Sequence, residues 1–183
     1  MRSLRLTAIF AFAVITHTAF AQRSAPSADA VMKETYKQAV KENKKILLIF
    51  HASWCGWCRK MDSSINDPVC KQLFTDNFVI QHLVVQENAG KKNLENPGAE
   101  ELMNKYNGKD QGLPYWVILD NKGKLLFDSQ MRNTKPDGTV KGGNVGCPAS
   151  NDEVRYLISV LKQTTSLNDD ALQIISNRFL LNQ

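Results

Sequence analysis

No apolar run in this 183-residue chain is long enough to cross a bilayer, which takes about 20 residues. The run at the N-terminus, Leu6 to Ile15, falls well short. Cysteine is scarce: four in the whole chain are too few for a disulfide-built scaffold of this size. Only one C-x-x-C is present, Cys55 to Cys58, so the second pair that a zinc site needs at recognisable spacing is missing. Residue 59 is Arg, where haem attachment requires His. Clustered basic charge is missing too. Lys and Arg are scattered among acids, and Lys44-Lys45 and Lys91-Lys92 are short solvated pairs, so no nucleic-acid footprint exists. Internal repeats and low-complexity tracts are also absent.

What is present begins with Arg2 and Arg5, the Leu6–Ile15 run, and then Ala19-Phe20-Ala21. This is the three-part pattern of a secretory signal peptide over residues 1–21, cleaved after Ala21. The expected mature chain begins at Gln22, is periplasmic or secreted, and has no stable membrane insertion. Removing Arg2 and Arg5 lowers the formal charge from +5 to +3. Residues 22–28, small and polar with Pro26, read as a linker, and 29–183 as one domain with its own core.

Along that domain the apolar spacing of Met32, Tyr36, Ala39 and Val40 predicts a helix over about 28–43. Ile46 to Phe50 is a continuous apolar run, the pattern of a buried strand. A helix from Gly56 is punctuated by Asp67-Pro68, a second helical stretch runs from Pro68 to about Thr75, and Phe78 to Val85 is the next strand. Asn96-Pro97 predicts a helix start, with Gly108 placed to end that helix. Tyr115–Leu119 and Lys124–Phe127 flank Asp120-Asn121-Lys122-Gly123, a β-hairpin signal in which Gly123 can take a positive φ. Met131 to Ala149 has no apolar period and reads as a long surface loop. Ser150 and Glu153 predict a capping box before a helix carrying Val154, Leu157, Ile158 and Leu161, and a last, extra helix spans about 169–181. This order implies an α/β sandwich whose mixed sheet ends in an antiparallel hairpin.

The chemistry concentrates at Trp54-Cys55-Gly56-Trp57-Cys58. A strand ending at His51 and a helix starting near Gly56 put Cys55 at the helix N-terminus, where free N–H groups and the helix dipole favour a thiolate. Cys55 is the expected nucleophile. Cys58, one turn later, can attack a mixed disulfide at Cys55 and release the substrate. The other reading of the pair is an inert disulfide, but so small a loop removes little entropy from the unfolded chain and makes a poor staple.

The motif, the element order and Gly112-Leu113-Pro114 together resemble the thioredoxin superfamily, and within it exported bacterial members, over about Lys33 to Leu161. The resemblance implies a three-layer thioredoxin-like sandwich. It also implies a cis Pro114 beside the cysteine pair, with neighbouring backbone that pairs with substrate. Trp54, Gly56, Trp57, Leu113 and Pro114 would form the substrate surface, although for Trp54 core packing is an equal reading. Trp116 and Met61 read as core. The chain departs from the family pattern at Ile49, six residues before Cys55, where the family often carries a buried acid. His82, on the neighbouring strand, is the candidate for proton transfer in its place, a satisfied structural histidine being the alternative; His51 is a weaker candidate.

Cys70 and Cys147 remain open. An oxidising compartment favours a second disulfide, whereas the length of helix between Cys55 and Cys70 argues against it. The expected activity is thiol-disulfide exchange with protein disulfides or dithiols, regenerated by a partner thiol protein and needing no cofactor or metal. Reductase or general exchange is preferred on the resemblance alone. The alternative is a binding or chaperone-like module of the same fold with idle cysteines.

Overall fold

The computed structural model describes residues 24–134 and 140–183, so the expected signal peptide and its cleavage point lie outside the described residues. Helix α1 (Ala28–Glu42) opens at Ser27, whose side chain accepts from the Ala30 N–H, and closes at Asn43 in the left-handed region. Its buried face is Ala28, Met32, Thr35 and Ala39, and Val40 is exposed. The face therefore differs from the expected one: Val40 lies one 100° step past Ala39, and Thr35 is inside because its hydroxyl bonds Val31 O and Gln81 Oε1.

Strand β1 (Lys45–His51) leads to α2 (Gly56–Ile65), α3 (Lys71–Thr75) and β2 (Phe78–Val84). A short 3-10 segment (Ala89–Leu94) and α4 (Ala99–Lys105) follow, then β3 (Tyr115–Leu119) and β4 (Leu125–Asp128). The sheet order is β2-β1-β3-β4, with β1 parallel to β2 and antiparallel to β3, and β3 antiparallel to β4. Successive side chains leave a strand on opposite faces. Leu47, Ile49, Trp116 and Ile118 therefore pack on one face with α2, α3 and two C-terminal helices, α5 (Asn151–Thr164) and α6 (Asp169–Leu180). Ile46, Leu48, Phe50, Tyr115 and Val117 pack on the other face with α1 and α4. This is the expected three-layer α/β sandwich, and α6 adds Leu172, Ile175 and Phe179 to the first core. Among the described residues no helix is long and apolar enough to cross a membrane.

Local signals hold at several element ends. Ser150 and Glu153 form the expected capping box, and Gly123 takes φ +86° between β3 and β4. The start of α4 differs. Asn96 does not cap it: its Oδ1 accepts from the Val84 N–H and its Nδ2 donates to Pro26 O, so it ties the segment just before α1 to the end of β2. The helix begins instead after Gly98, whose φ is +84°. At the far end, the Gly108 N–H caps Met103 O, and a Cβ at Gly108 would stand 2.8 Å from that oxygen.

The largest correction concerns Met131 to Ala149. β5 (Gln130–Thr134) and β6 (Val140–Asn144) pair antiparallel as a second small sheet, and Val145, Cys147 and Ala149 beyond them are buried. A ladder built from backbone groups does not require apolar alternation, which is why Gly142-Gly143 concealed a strand.

Candidate redox site

Strand β1 ends at His51 and the chain turns through Ala52, Ser53 and Trp54 into α2. Cys55 is the N-cap residue of α2, with extended backbone, and its Sγ accepts from the Cys58 N–H at 3.1 Å. Cys55 and Cys58 are joined in a disulfide with Cα atoms 5.3 Å apart. The pair is recessed, 3% and 4% exposed, against Ala52 and Leu113. The peptide bond between Leu113 and Pro114 is cis. Leu113 thus comes to the disulfide from a loop more than fifty residues downstream.

Two indoles flank the pair at the surface. Trp54 is 50% exposed and donates from Nε1 to Gln86 O at 2.8 Å, so it is held in place and is not core. Trp57 is 48% exposed, with the Lys60 ammonium 4.3 Å from its ring centroid. Gly56, between the cysteines, borders the outer surface of α2 with Arg59 and Lys60. Trp116 and Met61 lie in the core, as expected. A groove of about 290 Å³ opens beside Trp57 and Leu113, and Asn144, Gly146, Cys147 and Glu153 complete it.

One residue that shapes the site escaped the sequence reading. Glu87 is 3% exposed, and its carboxylate accepts from both the Ser53 N–H and the Ser53 hydroxyl, the latter at 2.8 Å. Gln86, just before it, takes φ +54°, and the Glu87 N–H donates to Glu95 Oε1. The turn that delivers Cys55 to its helix is therefore fastened by a carboxylate 34 residues away. No local pattern signals such a contact.

His82 pairs in register with Ile49, and its Nε2 lies 2.8 Å from Asp62 Oδ1. Asp62 is one turn beyond Cys58 on α2. His51 packs edge-on to His82 at 5.2 Å between centroids. Burial, and then the His82 charge, lower the His51 pKa below its ordinary 6.5, while Asp62 and Glu87 pull the other way. A lowered imidazole favours the fold when neutral. Its contribution is complete above the ordinary value and is lost as the pH falls through the lowered one. Wild-type protein should lose more thermal stability between pH 7.5 and 5 than His51→Gln; equal losses in both proteins would refute this.

Cys70 and Cys147 are both free and buried, so the chain carries no second disulfide between them. Burial pushes the Cys70 thiol up to about 11 and the Cys147 thiol up to about 12. The Cys147 sulfur also accepts from Asn182 Nδ2 at 3.3 Å. Neither should be nucleophilic at neutral pH. Iodoacetamide applied to the folded, reduced protein at pH 8 should leave both unmodified by peptide mass mapping, and rapid labelling of either would contradict these environments.

A family model described as a thioredoxin-like domain matches residues 32–133. Solved structures similar to the chain include a disulphide isomerase from Xylella fastidiosa Temecula1, at 25% identity and TM-score 0.46, covering 55% of this chain and 72% of that one. A protein described as DsbH oxidoreductase matches at 25% identity and TM-score 0.44, over 76% of this chain and 87% of that one. The C-terminal domain of DsbD from Neisseria meningitidis, in its oxidised form, matches at 21% identity and TM-score 0.41, over 57% and 84%. No curated protein matches the sequence.

Proposed function

The chain belongs to the thioredoxin-like domain family, and on that premise we propose that it is a thiol-disulfide oxidoreductase of the cell envelope acting on protein disulfides or dithiols. The observation that carries this reading is the Cys55–Cys58 disulfide at the N-cap of α2, against the cis-Pro114 loop. The envelope assignment rests on the signal-peptide pattern of residues 1–21. Reduction or general exchange is favoured over oxidation by the family premise.

In the reducing direction, the Cys55 thiolate attacks one sulfur of the substrate disulfide. A Cys55–substrate bond forms, the substrate S–S bond breaks, and the departing substrate thiolate takes up a proton. Cys58 then gives up its proton and attacks the Cys55 sulfur, which closes the Cys55–Cys58 bond and releases the second substrate thiol. Two electrons pass from the dithiol to the substrate, and a partner dithiol protein restores the pair by the reverse sequence. The groups this exchange needs are sulfur nucleophiles and a proton acceptor. Trp54, Gly56, Trp57, Leu113 and Pro114 supply the surface on which the substrate rests.

The Cys55 sulfur already accepts the Cys58 N–H, a bond that strengthens when the acceptor is a thiolate. For the Cys58 proton, the acceptor in this reading is His82 on β2, whose Nε2 lies 2.8 Å from Asp62 Oδ1, one turn beyond Cys58 on α2. His82→Gln should then change the pH dependence of disulfide reduction, and an unchanged profile would end that assignment. The whole reading is tested by reduction of insulin disulfides with dithiothreitol as electron source. Catalysis lost in Cys55→Ser supports it, and a wild-type rate no faster than dithiothreitol alone would favour a binding module with idle cysteines.

A further inference from the structure

Asn144, the last residue of β6, makes more contacts with the Pro114 loop than its place in a Gly-rich hairpin would suggest. Its Nδ2 donates to Gly112 O at 2.6 Å and to Pro114 O at 3.0 Å, and its Oδ1 accepts from the Gly146 N–H at 3.0 Å. Two carbonyl partners and one N–H partner admit only one orientation of the amide. The side chain therefore joins the small β5–β6 sheet, the Pro114 loop and the segment running into α5. That segment is pinned from below as well, since Trp116 Nε1 donates to Gly146 O at 2.9 Å. Gly146 itself has φ +54° and lies against Pro114, where a Cβ would stand 3.7 Å from the ring.

The consequence falls on Leu113. Its neighbours on both sides have their carbonyls taken by Asn144, while the Leu113 N–H and C=O have no partner among the described residues. The Leu113 side chain packs against the buried cluster of Ala52, Cys55 and Cys58. One donor and one acceptor on the same residue, held beside a disulfide, match the main chain of an extended polypeptide and not a small disulfide with no backbone. The groove beside Leu113 leaves room for a neighbouring substrate side chain.

We propose that Asn144 is a positioning residue that fixes the Leu113 backbone pair for main-chain pairing with substrate, and so sets a preference for extended polypeptide disulfides over small ones. This rests on the exchange activity proposed above. Asn144 touches neither sulfur, so its loss weakens polypeptide binding and leaves the sulfur chemistry intact.

The test compares insulin with bis(2-hydroxyethyl) disulfide as substrates, with dithiothreitol in both assays as the reductant that restores the Cys55–Cys58 dithiol after each turnover and its uncatalysed rate subtracted. Asn144→Ala should raise KM for insulin about tenfold, the scale of one or two neutral hydrogen bonds, with kcat nearly unchanged and both constants for the small disulfide unaltered. Asn144→Asp is the second variant: it keeps an acceptor for the Gly146 N–H, removes both donors, and should show the same split. An equal loss on both substrates, or no change on insulin, in whichever variant folds overturns the proposal. A wild-type protein that turns over neither substrate instead removes the redox reading, and the proposal with it.

Discussion

Cys55→Ser should lower catalysed disulfide reduction by about a thousandfold or more, to the level of the free reductant, because a hydroxyl at neutral pH cannot replace a thiolate as nucleophile. Cys58→Ser should behave differently. Its Cys55 remains the helix N-cap residue and can still attack, but no resolving thiol follows, so a mixed disulfide with substrate should accumulate. Non-reducing electrophoresis after mixing with a disulfide-bonded substrate distinguishes the two. A trapped adduct in Cys58→Ser and none in Cys55→Ser is the expected pattern. The opposite pattern would reverse the assigned roles, and trapping in neither would leave the pair without exchange chemistry.

Glu87→Ala should destabilise the protein by about 2 kcal/mol, the scale of hydrogen bonds to a charged acceptor, with the donors left behind on the exposed Ser53 free to turn to water. Those donors are the Ser53 N–H and hydroxyl, which precede Cys55 by two residues. Glu87→Gln keeps one acceptor oxygen and should cost less. Urea denaturation with Ser53→Ala as the partner in a double-mutant cycle isolates the Ser53 hydroxyl contribution, and coupling of about 1 kcal/mol is expected. The same change should also move the reduction potential of the Cys55–Cys58 pair, since it loosens the turn that sets where the N-cap sulfur sits. A loss below about 0.5 kcal/mol, the range of ordinary surface substitutions, would show that the carboxylate does not fasten the turn.

The parts of this fold that could be read from sequence are those whose signals lie within a turn or two of chain. The Ile46–Phe50 run, the Ser150–Glu153 cap, the Gly123 turn and the strand-to-helix position of Cys55 each depend on neighbours a few residues apart. The parts that could not be read depend on distant partners or on backbone alone. Glu87 looks like one more acid in a polar segment until the sheet brings it to Ser53. Asn96 has the form of a helix cap, but its amide is taken by Val84 and Pro26. The β5–β6 ladder is made by main-chain groups, so polar and glycine residues gave no period to detect, and Asn144 was concealed with it. Asp62 is a similar case. Its contact with His82 appears only when α2 is laid against β2.

The most direct measurement is the pH dependence of carbamidomethylation of Cys55 in the fully reduced protein, followed by peptide mass mapping so that each sulfur is scored separately. A sulfur that ends a chain of aligned peptide dipoles and accepts the Cys58 N–H should react with a midpoint clearly below the ordinary thiol value of about 8.5, ahead of Cys58. A midpoint at or above that value, or preferential labelling of Cys58, would contradict it.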